Sequence, residues 1–387
     1  MKSLRSNLLK DSTSDARWRD FGKHLLRVEN NHDESASQDF YLEMYRFLGK
    51  ELGPARKKVY ESKIKKEFKN KNGHNPKNRH QVRNAVKNNP FFQFWGHLRS
   101  NINQEMFYKN QLIVERQIDR LQEKSIIKKN NKGKLILNSE VKVPKYQSLD
   151  MHWMPGSYHY EKSDQGDLSA GALYDSGGIY LMTNGALGPF NDGAAYSLIN
   201  FLKTKVPDFK PKNILDLGCT VGHNTQPFKE FWTSAKVTGI DIGAPVLRYA
   251  HARSSKMGYS IDYCQQNAEE TDFVDSNFDL VVSTMFLHET SKKAIKNIFK
   301  ESFRILKSGG LMVHVEQPPF SFFNDPYEQY IRDWDTHNNN EPFWGPMHDL
   351  DLVKVSISSG FTQSNTFEKF CPFVIPQEDG SYKEAKA

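Results

Sequence analysis

A glycine-rich turn between an apolar strand and a helix constrains this chain more than any other feature. It spans residues 216–222 (sequence DLGCTVG). Glycines let a ligand approach the backbone where a side chain would collide. Such a turn, at the carboxyl end of a parallel strand, faces the ligand crevice of an open α/β sheet. Asp241 ends the next predicted strand, 23 residues after Gly218, where a carboxylate can accept both hydroxyls of a ribose.

From residue 193 onward, apolar strands alternate with helices, which is typical of parallel β-α units. We therefore predict an α/β fold, with a doubly wound, Rossmann-like sheet over residues 193–387. The predicted strands are 213–217, 236–241, 260–265, 278–284 and 311–316.

The turn fails the dinucleotide fingerprint G-x-G-x-x-G, because Thr220 stands where the middle glycine belongs and Asp216 precedes the first one. It resembles the first loop of class I S-adenosylmethionine-dependent methyltransferases, Asp/Glu-x-Gly-x-Gly-x-Gly, in which Ser or Thr is a frequent middle residue. The resemblance extends in order over about residues 213–370. It includes the acid that ends the second strand, the segment Asn267-Ala268-Glu269, and the sequences FDLVV (278–282) and RILKSGGL (304–311).

The resemblance implies S-adenosylmethionine as cofactor and a role for each matching residue. Gly218, Thr220 and Gly222 would line its methionine part, and Asp216 would reach its amino group. Asp241 would hold the ribose hydroxyls, while three residues would surround the adenine: Ile242, Asn267 and Ala268. Asn267 replaces the commoner Asp, although an amide oxygen can accept the same hydrogen bond. Cys219, a small packing residue, and Ser283, near the end of the fourth strand, complete the predicted cofactor site.

Methyl transfer requires the acceptor and the methyl group to be close and collinear, and it needs a general base only if the acceptor arrives protonated. His288 and Glu289 follow the fourth strand, and their Leu-His-Glu sequence resembles the quinone-biosynthesis type of methyltransferase. Glu316, at the end of the fifth strand, is the third predicted catalytic residue. Alternatively, His288 and Glu289 cap the helix that begins near residue 291, and Glu316 is partly buried with a basic partner. We expect His314 to be structural.

Two aromatic-rich segments flank this predicted site. Residues 143–192 form a linker that either covers the site as a lid or packs on the following domain. Residues 318–347 form an insertion after the fifth strand, and in this family such insertions commonly complete the substrate pocket. Apolar and aromatic walls suit a small organic acceptor, aromatic or quinone-like. No metal is expected, because the spacing of His337 and His348 matches no zinc pattern.

Charge is distributed unevenly along the chain. Residues 1–150 hold 32 basic and 17 acidic residues, whereas the whole chain has a net charge of only +7. The densest basic stretch, 50–87, has 13 basic and 3 acidic residues. Such a stretch is typical of a surface that binds nucleic acid, an anionic membrane or the acidic half of its own chain. Alternatively, it is a solvated helical face without a partner.

Helical spacing predicts a separate, mostly helical N-terminal domain over residues 1–142, with a helix boundary at Gly53-Pro54. A small hairpin near 126–137 would give it a winged-helix-like outline. This domain would cover the site or form a homodimer.

Three functions remain open at this stage. The first is a small-molecule methyltransferase. The second is an RNA or DNA methyltransferase that uses the basic half to bind nucleic acid. It is disfavoured because the fourth strand lacks the Asn/Asp-Pro-Pro-aromatic sequence that many methyltransferases of base amines carry there. A similar sequence, Gln317-Pro318-Pro319-Phe320, follows the fifth strand instead. The third is a non-catalytic protein that binds the cofactor.

Cysteine content and hydropathy bear on location. The three cysteines form no disulfide framework, which fits a reducing cytoplasm. No apolar run approaches 18 residues and the first residues lack an apolar core, so we predict no membrane span and no secretory signal.

Overall fold

The centre of the fold is a six-stranded, fully parallel sheet in the order β1-β4-β3-β2-β5-β6. We describe it from a computed structural model that covers residues 24, 26–127, 133–163, 166–183, 185–188, 190–376 and 382–384. The strands of this sheet are β1 Leu135–Ile136, β2 Asn213–Leu217, β3 Lys236–Asp241, β4 Asp262–Gln265, β5 Phe278–Thr284 and β6 Leu306–Val315. Two short antiparallel strands, β7 Val374–Pro376 and β8 Tyr382–Glu384, pair with each other outside it.

Helices precede the sheet and cover both of its faces. The first six are α1 His32–Phe47, α2 Gly53–Val59, α3 Lys65–Asn72, α4 Arg79–Val86, α5 Pro90–Glu115 and α6 Ile118–Ser125. The next six are α7 Ser169–Leu173, α8 Ile179–Met182, α9 Gly193–Lys205, α10 Thr225–Phe231, α11 Ala244–Lys256 and α12 Lys292–Ile305. The last four are α13 Pro326–Arg332, α14 Trp334–Asn338, α15 Trp344–His348 and α16 Leu352–Ser358.

Several shorter helical turns join these elements. Three are π-helical: Leu48–Leu52, Tyr60–Ile64 and Tyr174–Gly178. Five are 3₁₀ turns: Lys145–Gln147, Met151–Trp153, Leu287–Glu289, Phe320–Phe322 and Gln363–Asn365.

Strand order places the ligand crevice. The chain runs from β2 outward to β3 and β4, and then returns to the other side of β2 with β5. Where the connections from two adjacent strands run in opposite directions, a crevice opens at the carboxyl ends of those strands. The glycine-rich turn after β2 and the loop after β5 therefore flank the crevice. Five strands of this sheet occur where the sequence predicts them, although β4 begins two residues later and β6 five residues earlier than expected.

Two sequence expectations about local structure need correction. The chain keeps right-handed helical dihedrals through Gly53, because the π-helical turn Leu48–Leu52 leads directly into α2, with Pro54 in its first turn. In addition, Leu135 and Ile136 do not pair in a local hairpin. They pair in parallel with Tyr263 and Cys264 of β4, although residues 128–132 of the expected hairpin lie outside the described part of the chain.

The N-terminal helices share one hydrophobic core with the sheet's own helices. Phe107 and Leu121 of this region pack in the same buried cluster as Met151 and Leu168 of the linker and Tyr249 of α11. Two further clusters lie on the two faces of the sheet. The structure therefore does not confirm a separate N-terminal domain, because packing is continuous across residue 142.

Part of the basic half binds acidic groups of its own chain. The buried carboxylate of Asp333 accepts hydrogen bonds from Arg79 (3.1 Å) and Arg83 (2.6 Å), and Asp335 accepts one from Arg99 (2.9 Å). These pairs attach the N-terminal helices to the insertion. Within the described ranges, no helix combines the length and hydropathy that crossing a bilayer requires.

Candidate functional site

A cavity lies at the carboxyl ends of β2, β3, β4 and β5. Its floor consists of residues 218–221, 240–242, 266–268 and 284–286, one group from each strand end. The opposite wall comes from residues between 144 and 194, far from the floor in sequence. The space between them measures about 1050 Å³ when its open mouth is included.

The glycine-rich turn adopts a backbone shape that its sequence requires. Gly218, Thr220 and Gly222 have φ angles of +64°, +47° and +77°, in the left-handed region that glycine tolerates best. A methyl group on Gly218 would lie 2.2 Å from the ring of Phe286, and one on Gly222 would lie 2.2 Å from the Tyr263 hydroxyl. Gly218 and Thr220 line the cavity, whereas Gly222 is needed for packing beneath it.

Two carboxylates lie close to this turn in different environments. Asp241 lines the cavity and accepts hydrogen bonds from the backbone N–H groups of Thr220 (3.0 Å) and Gly243 (2.9 Å). Burial raises the pKa of Asp241 to about 6. Asp216 lies below the cavity floor. Its Oδ2 accepts a hydrogen bond from the Thr225 hydroxyl (2.6 Å), its Oδ1 is buried with no partner among the described residues, and burial raises its pKa to about 7.

The other predicted cofactor residues likewise divide into those that line the cavity and one that is buried outside it. Ile242, Asn267, Ala268 and Cys219 line the cavity. The amide oxygen of Asn267 already accepts a hydrogen bond from the backbone of Glu269 (3.0 Å). Burial raises the pKa of the Cys219 thiol, which fits a packing role. Ser283 is fully buried outside the cavity, where its hydroxyl pairs with His314 Nδ1 (2.7 Å).

The aromatic-rich linker supplies the wall that faces the floor. Tyr146, Tyr158 and Tyr174 line the cavity, and Tyr174 contacts the ring of His223 at 5.8 Å between centroids. Sequence analysis placed none of these three tyrosines in the site. The only signal for them was composition, since aromatic side chains in a long segment without periodicity must be buried somewhere.

Glu289 is the predicted catalytic residue that lines the cavity. Its Oε1 accepts hydrogen bonds from the Tyr158 hydroxyl (2.7 Å) and from His152 Nε2 (3.0 Å). On the other side of the imidazole, His152 Nδ1 lies 2.9 Å from Glu341 Oε1. The linker therefore contacts Glu289 directly, and the insertion contacts the linker at His152.

His152 is held in an unusual backbone conformation and charge state. Its φ is +56°, a left-handed value that non-glycine residues hold only when the surrounding structure imposes it. Burial lowers the pKa of His152, but the carboxylates of Glu341 and Glu289 outweigh burial, and the pKa lies well above its usual value. The side chain is therefore a cation between two carboxylates at neutral pH.

The other two predicted catalytic residues form a pair behind the cavity. His288 is buried, and its Nδ1 lies 2.6 Å from Glu316 Oε2. Glu316 Oε1 also accepts the backbone N–H groups of Phe286 (2.8 Å) and Leu287 (2.6 Å). Burial lowers the pKa of His288, but Glu316 outweighs it and the pKa rises to about 9. This pair fixes the loop after β5, and Ser291, not His288 or Glu289, caps α12.

The insertion supports the site from behind. None of residues 318–347 lines the cavity. Instead, Glu341 binds His152, Asn339 donates a hydrogen bond to Glu341 (2.5 Å), and Trp344 packs edge-on against His288 at 4.7 Å. The insertion therefore helps to position Glu289 through His152.

A second buried cluster connects the turn with the N-terminal region. Asp175, in the π-helical turn of the linker, lies 2.6 Å from His223 Nε2 and 2.7 Å from His24 Nε2. It also accepts a hydrogen bond from the Tyr249 hydroxyl (2.9 Å), and Arg253 lies at 3.5 Å. Burial works against ionisation of Asp175, but these positive partners outweigh it and hold its pKa well below its usual value.

These residues fit S-adenosylmethionine. The turn presents backbone at positions where side chains would collide, and Asp241 offers carboxylate oxygens at the cavity surface for ribose hydroxyls. Ile240, Ile242 and Ala268 provide an apolar surface for adenine. Among the described residues, no group of three or more His, Cys, Asp or Glu side chains is arranged to hold a metal ion.

Comparisons with known proteins agree with this geometry. A family model described as a methyltransferase domain matches residues 214–310. The methyltransferase phqN of Penicillium fellutanum is 30% identical over 127 residues, covering 31% of this chain and 37% of that protein. The demethylmenaquinone methyltransferase of Lactococcus lactis is 30% identical over 145 residues, covering 36% of this chain and 54% of the relative.

A solved structure of Haemonchus contortus phosphoethanolamine N-methyltransferase 2 with S-adenosylhomocysteine is 19% identical, at a TM-score of 0.33. It matches 42% of this chain and 36% of its own. The chain spans about half or less of the length of the two curated relatives named above. The matching family model covers the turn, Asp241, Asn267 and Glu289. The chain therefore contains a class I S-adenosylmethionine-dependent methyltransferase domain.

Proposed function

We propose that this protein transfers a methyl group from S-adenosylmethionine to a small organic acceptor held between the cavity floor and the linker. One observation carries the proposal. The turn, Asp241 and Asn267 line the same cavity as three tyrosines of the opposite wall and the carboxylate of Glu289. A cofactor on the floor would face an acceptor on the wall.

The cofactor is held by residues of the floor. Asp241 accepts the ribose hydroxyls, Ile242 and Ala268 pack on the adenine, and the turn lines the methionine part. When bound, S-adenosylmethionine supplies a methyl group whose carbon bonds to the acceptor as its bond to sulfur breaks, with the electron pair remaining on sulfur. Asp216, which lies below the floor, acts by holding the turn through Thr225.

Glu289 is the group that orients the acceptor and takes its proton. Its carboxylate is fixed at Oε1 by Tyr158 and His152, and it faces the cavity. An acceptor O–H or N–H donates a hydrogen bond to Glu289, and the proton passes to this carboxylate as the acceptor is methylated. His288 and Glu316 hold the loop that carries Glu289.

The linker acts as a lid, which excludes water from the cavity. Supporting this, Tyr158 and Leu168 are buried and Tyr174 contacts the turn side of the cavity. We propose an aromatic or quinone-like acceptor, because Tyr146, Tyr158 and Phe286 offer ring surfaces for stacking. The relative from Lactococcus lactis, named as a demethylmenaquinone methyltransferase, supports the same class.

A nucleic-acid acceptor is the second candidate, and exposed lysines favour it. Between residues 50 and 87, side chains such as Lys58, Lys66 and Lys77 remain exposed after the arginines have paired with acids. Such a surface attracts phosphates irrespective of base sequence. A homodimer through the N-terminal region is a further proposal, which the oligomeric state in solution tests.

Calorimetric titration of S-adenosylmethionine and S-adenosylhomocysteine, with and without a short RNA duplex, tests this proposal. We expect micromolar binding of both cofactors that the duplex leaves unchanged. Transfer of labelled methyl from the cofactor to a neutral phenol or hydroquinone is then the direct assay. Salt-sensitive RNA binding coupled to the cofactor would support the second candidate. Absence of cofactor binding would refute both.

A further inference from the structure

The ionisable groups that line the cavity are unbalanced in charge. Asp241 and Glu289 are its carboxylates, and among the described residues no lysine or arginine lines it. His223 is the one imidazole in the described lining. Burial lowers its pKa, although Asp175 opposes that effect, and its Nε2 is already paired with Asp175 Oδ1 at 2.6 Å. An anionic acceptor would therefore enter a cavity whose described side chains offer it two carboxylates and no lysine or arginine.

Two cationic imidazoles close to Glu289 in the fold are already paired with carboxylates. His152 lies behind Glu289, with its two ring nitrogens 3.0 Å and 2.9 Å from the carboxylates of Glu289 and Glu341. His288 is paired with Glu316 at 2.6 Å. Both imidazoles are buried, so neither can turn toward an acceptor without leaving a carboxylate unpaired. The surplus negative charge at Glu289 therefore faces the cavity.

A cationic acceptor meets the opposite difficulty. The sulfonium of the cofactor is positive, and the acceptor atom must approach it closely for transfer. Like charges at that distance in a partly enclosed cavity repel strongly. The carboxylate of Glu289 thus disfavours an anionic acceptor, and the sulfonium disfavours a cationic one.

We infer that the acceptor is an uncharged aromatic molecule with an O–H or N–H group that donates to Glu289, and that aromatic carboxylates and ammonium compounds are rejected. This inference rests on the proposed function and narrows its acceptor class. Tyr146, Tyr158 and Phe286 provide the ring contacts, and Glu289 provides a carboxylate anchor for the donor group of the acceptor.

Binding of matched aromatic triplets tests the inference directly. Each triplet shares one ring and carries a short neutral, ammonium or carboxylate side chain: 4-methylcatechol, dopamine and 3,4-dihydroxyphenylacetate, with analogous sets built on phenol and hydroquinone. Affinities are measured by calorimetry on the full-length protein loaded with S-adenosylhomocysteine, and again with sinefungin, whose amine reproduces the positive charge of the sulfonium.

We expect the neutral members to bind at least about tenfold more tightly than the carboxylates with either cofactor analogue. The ammonium members should lose about tenfold only with sinefungin. Glu289→Gln should reduce the carboxylate penalty to within about threefold. Glu67→Gln, a matched change of an exposed glutamate on α3, should leave all affinities unchanged.

Three results would overturn the inference. Carboxylates that bind as tightly as the neutral members would show that Glu289 does not set acceptor charge. An unchanged penalty in Glu289→Gln, with cofactor affinity and melting temperature intact, would place the selectivity elsewhere. Failure of every triplet to bind the cofactor-loaded protein would refute an aromatic acceptor. Failure of the cofactor analogues themselves to bind would instead refute the proposed function.

Discussion

The two sides of the cavity are built by different means. On the floor, each group follows directly from the strand that carries it: the turn from β2, Asp241 from β3, Asn267 shortly after β4. Where the opposite wall meets Glu289, that carboxylate depends on Tyr158 and His152 of the linker and, through His152, on Glu341 of the insertion. Short-range sequence therefore specifies the proposed cofactor side, whereas the proposed acceptor side depends on contacts between distant segments.

This difference predicts where a substitution will act. A change on the floor should affect cofactor affinity and leave stability intact. A change in the segments that support the wall should affect stability or turnover and leave cofactor affinity intact. The four predictions below test this separation, beginning with the largest effect.

Asp241→Ala should abolish cofactor binding without unfolding the chain. The substitution removes the carboxylate that we propose accepts two hydrogen bonds from ribose hydroxyls, worth about 1.5–3 kcal/mol each. It also removes the acceptor of the Thr220 and Gly243 backbone N–H groups, which shape the turn. Calorimetry with S-adenosylhomocysteine measures the loss, and circular dichroism checks the fold. Asp208→Ala, at an exposed aspartate outside the cavity, is the matched control. Normal binding by Asp241→Ala would invalidate the assignment of the floor.

Asp333→Ala should lower the free energy of unfolding by about 3–5 kcal/mol, because it leaves Arg79 and Arg83 without their buried partner. Urea unfolding measures the change. Asp349→Ala also removes a partner of Arg79, but this aspartate is 42% exposed, so the cost should stay below about 1 kcal/mol. Equal losses in the two variants would show that the N-terminal helices do not fix the insertion through Asp333.

Stability should depend on pH through His288. Its folded pKa of about 9 exceeds the unfolded value of 6.5. The stabilisation is therefore complete below pH 6.5 and is lost as pH rises through 9, by roughly 3 kcal/mol. Urea unfolding of the wild type and of His288→Gln between pH 6 and 10 isolates this contribution. Parallel pH curves for the two proteins would contradict the pairing with Glu316.

Tyr158→Phe should produce the smallest effect. It removes one hydroxyl donor from Glu289 Oε1 and leaves the ring in place. We expect turnover to fall about tenfold, corresponding to roughly 1–1.5 kcal/mol, with cofactor affinity unchanged within about twofold. Tyr160→Phe, at a neighbouring tyrosine that is 55% exposed, is the control. A larger loss of cofactor affinity than of turnover would show that Tyr158 also supports the cofactor side, which contradicts the separation of the two sides.

The sequence predicts the sheet and most of the floor well. The strands follow from apolar runs bounded by glycines, and Gly218, Asp241 and Asn267 stand at fixed distances from those strands. Asp216 and Gly222 belong to the same motif but lie beneath the cavity surface, because a motif records which residues recur and not which of them face the ligand.

The wall could not be predicted in the same way. His152 and Glu289 are 137 residues apart, and His152 and Glu341 are 189 apart. No local pattern encodes such pairs, since they depend on how the linker and the insertion pack on the sheet. The same limitation explains β1, which sequence reasoning paired with its neighbour in the chain and which the fold pairs with β4.

The short strand β1 has a consequence for how the sheet avoids unwanted strand pairing with other molecules. It covers the outer edge of β4, whose Tyr263 backbone N–H donates to the Lys134 carbonyl (2.7 Å). A protein shortened to begin after residue 142 would expose that edge as a row of unpaired backbone groups, which readily adds a strand from another molecule. The residues ahead of the methyltransferase domain therefore guard against aggregation, whatever else they bind.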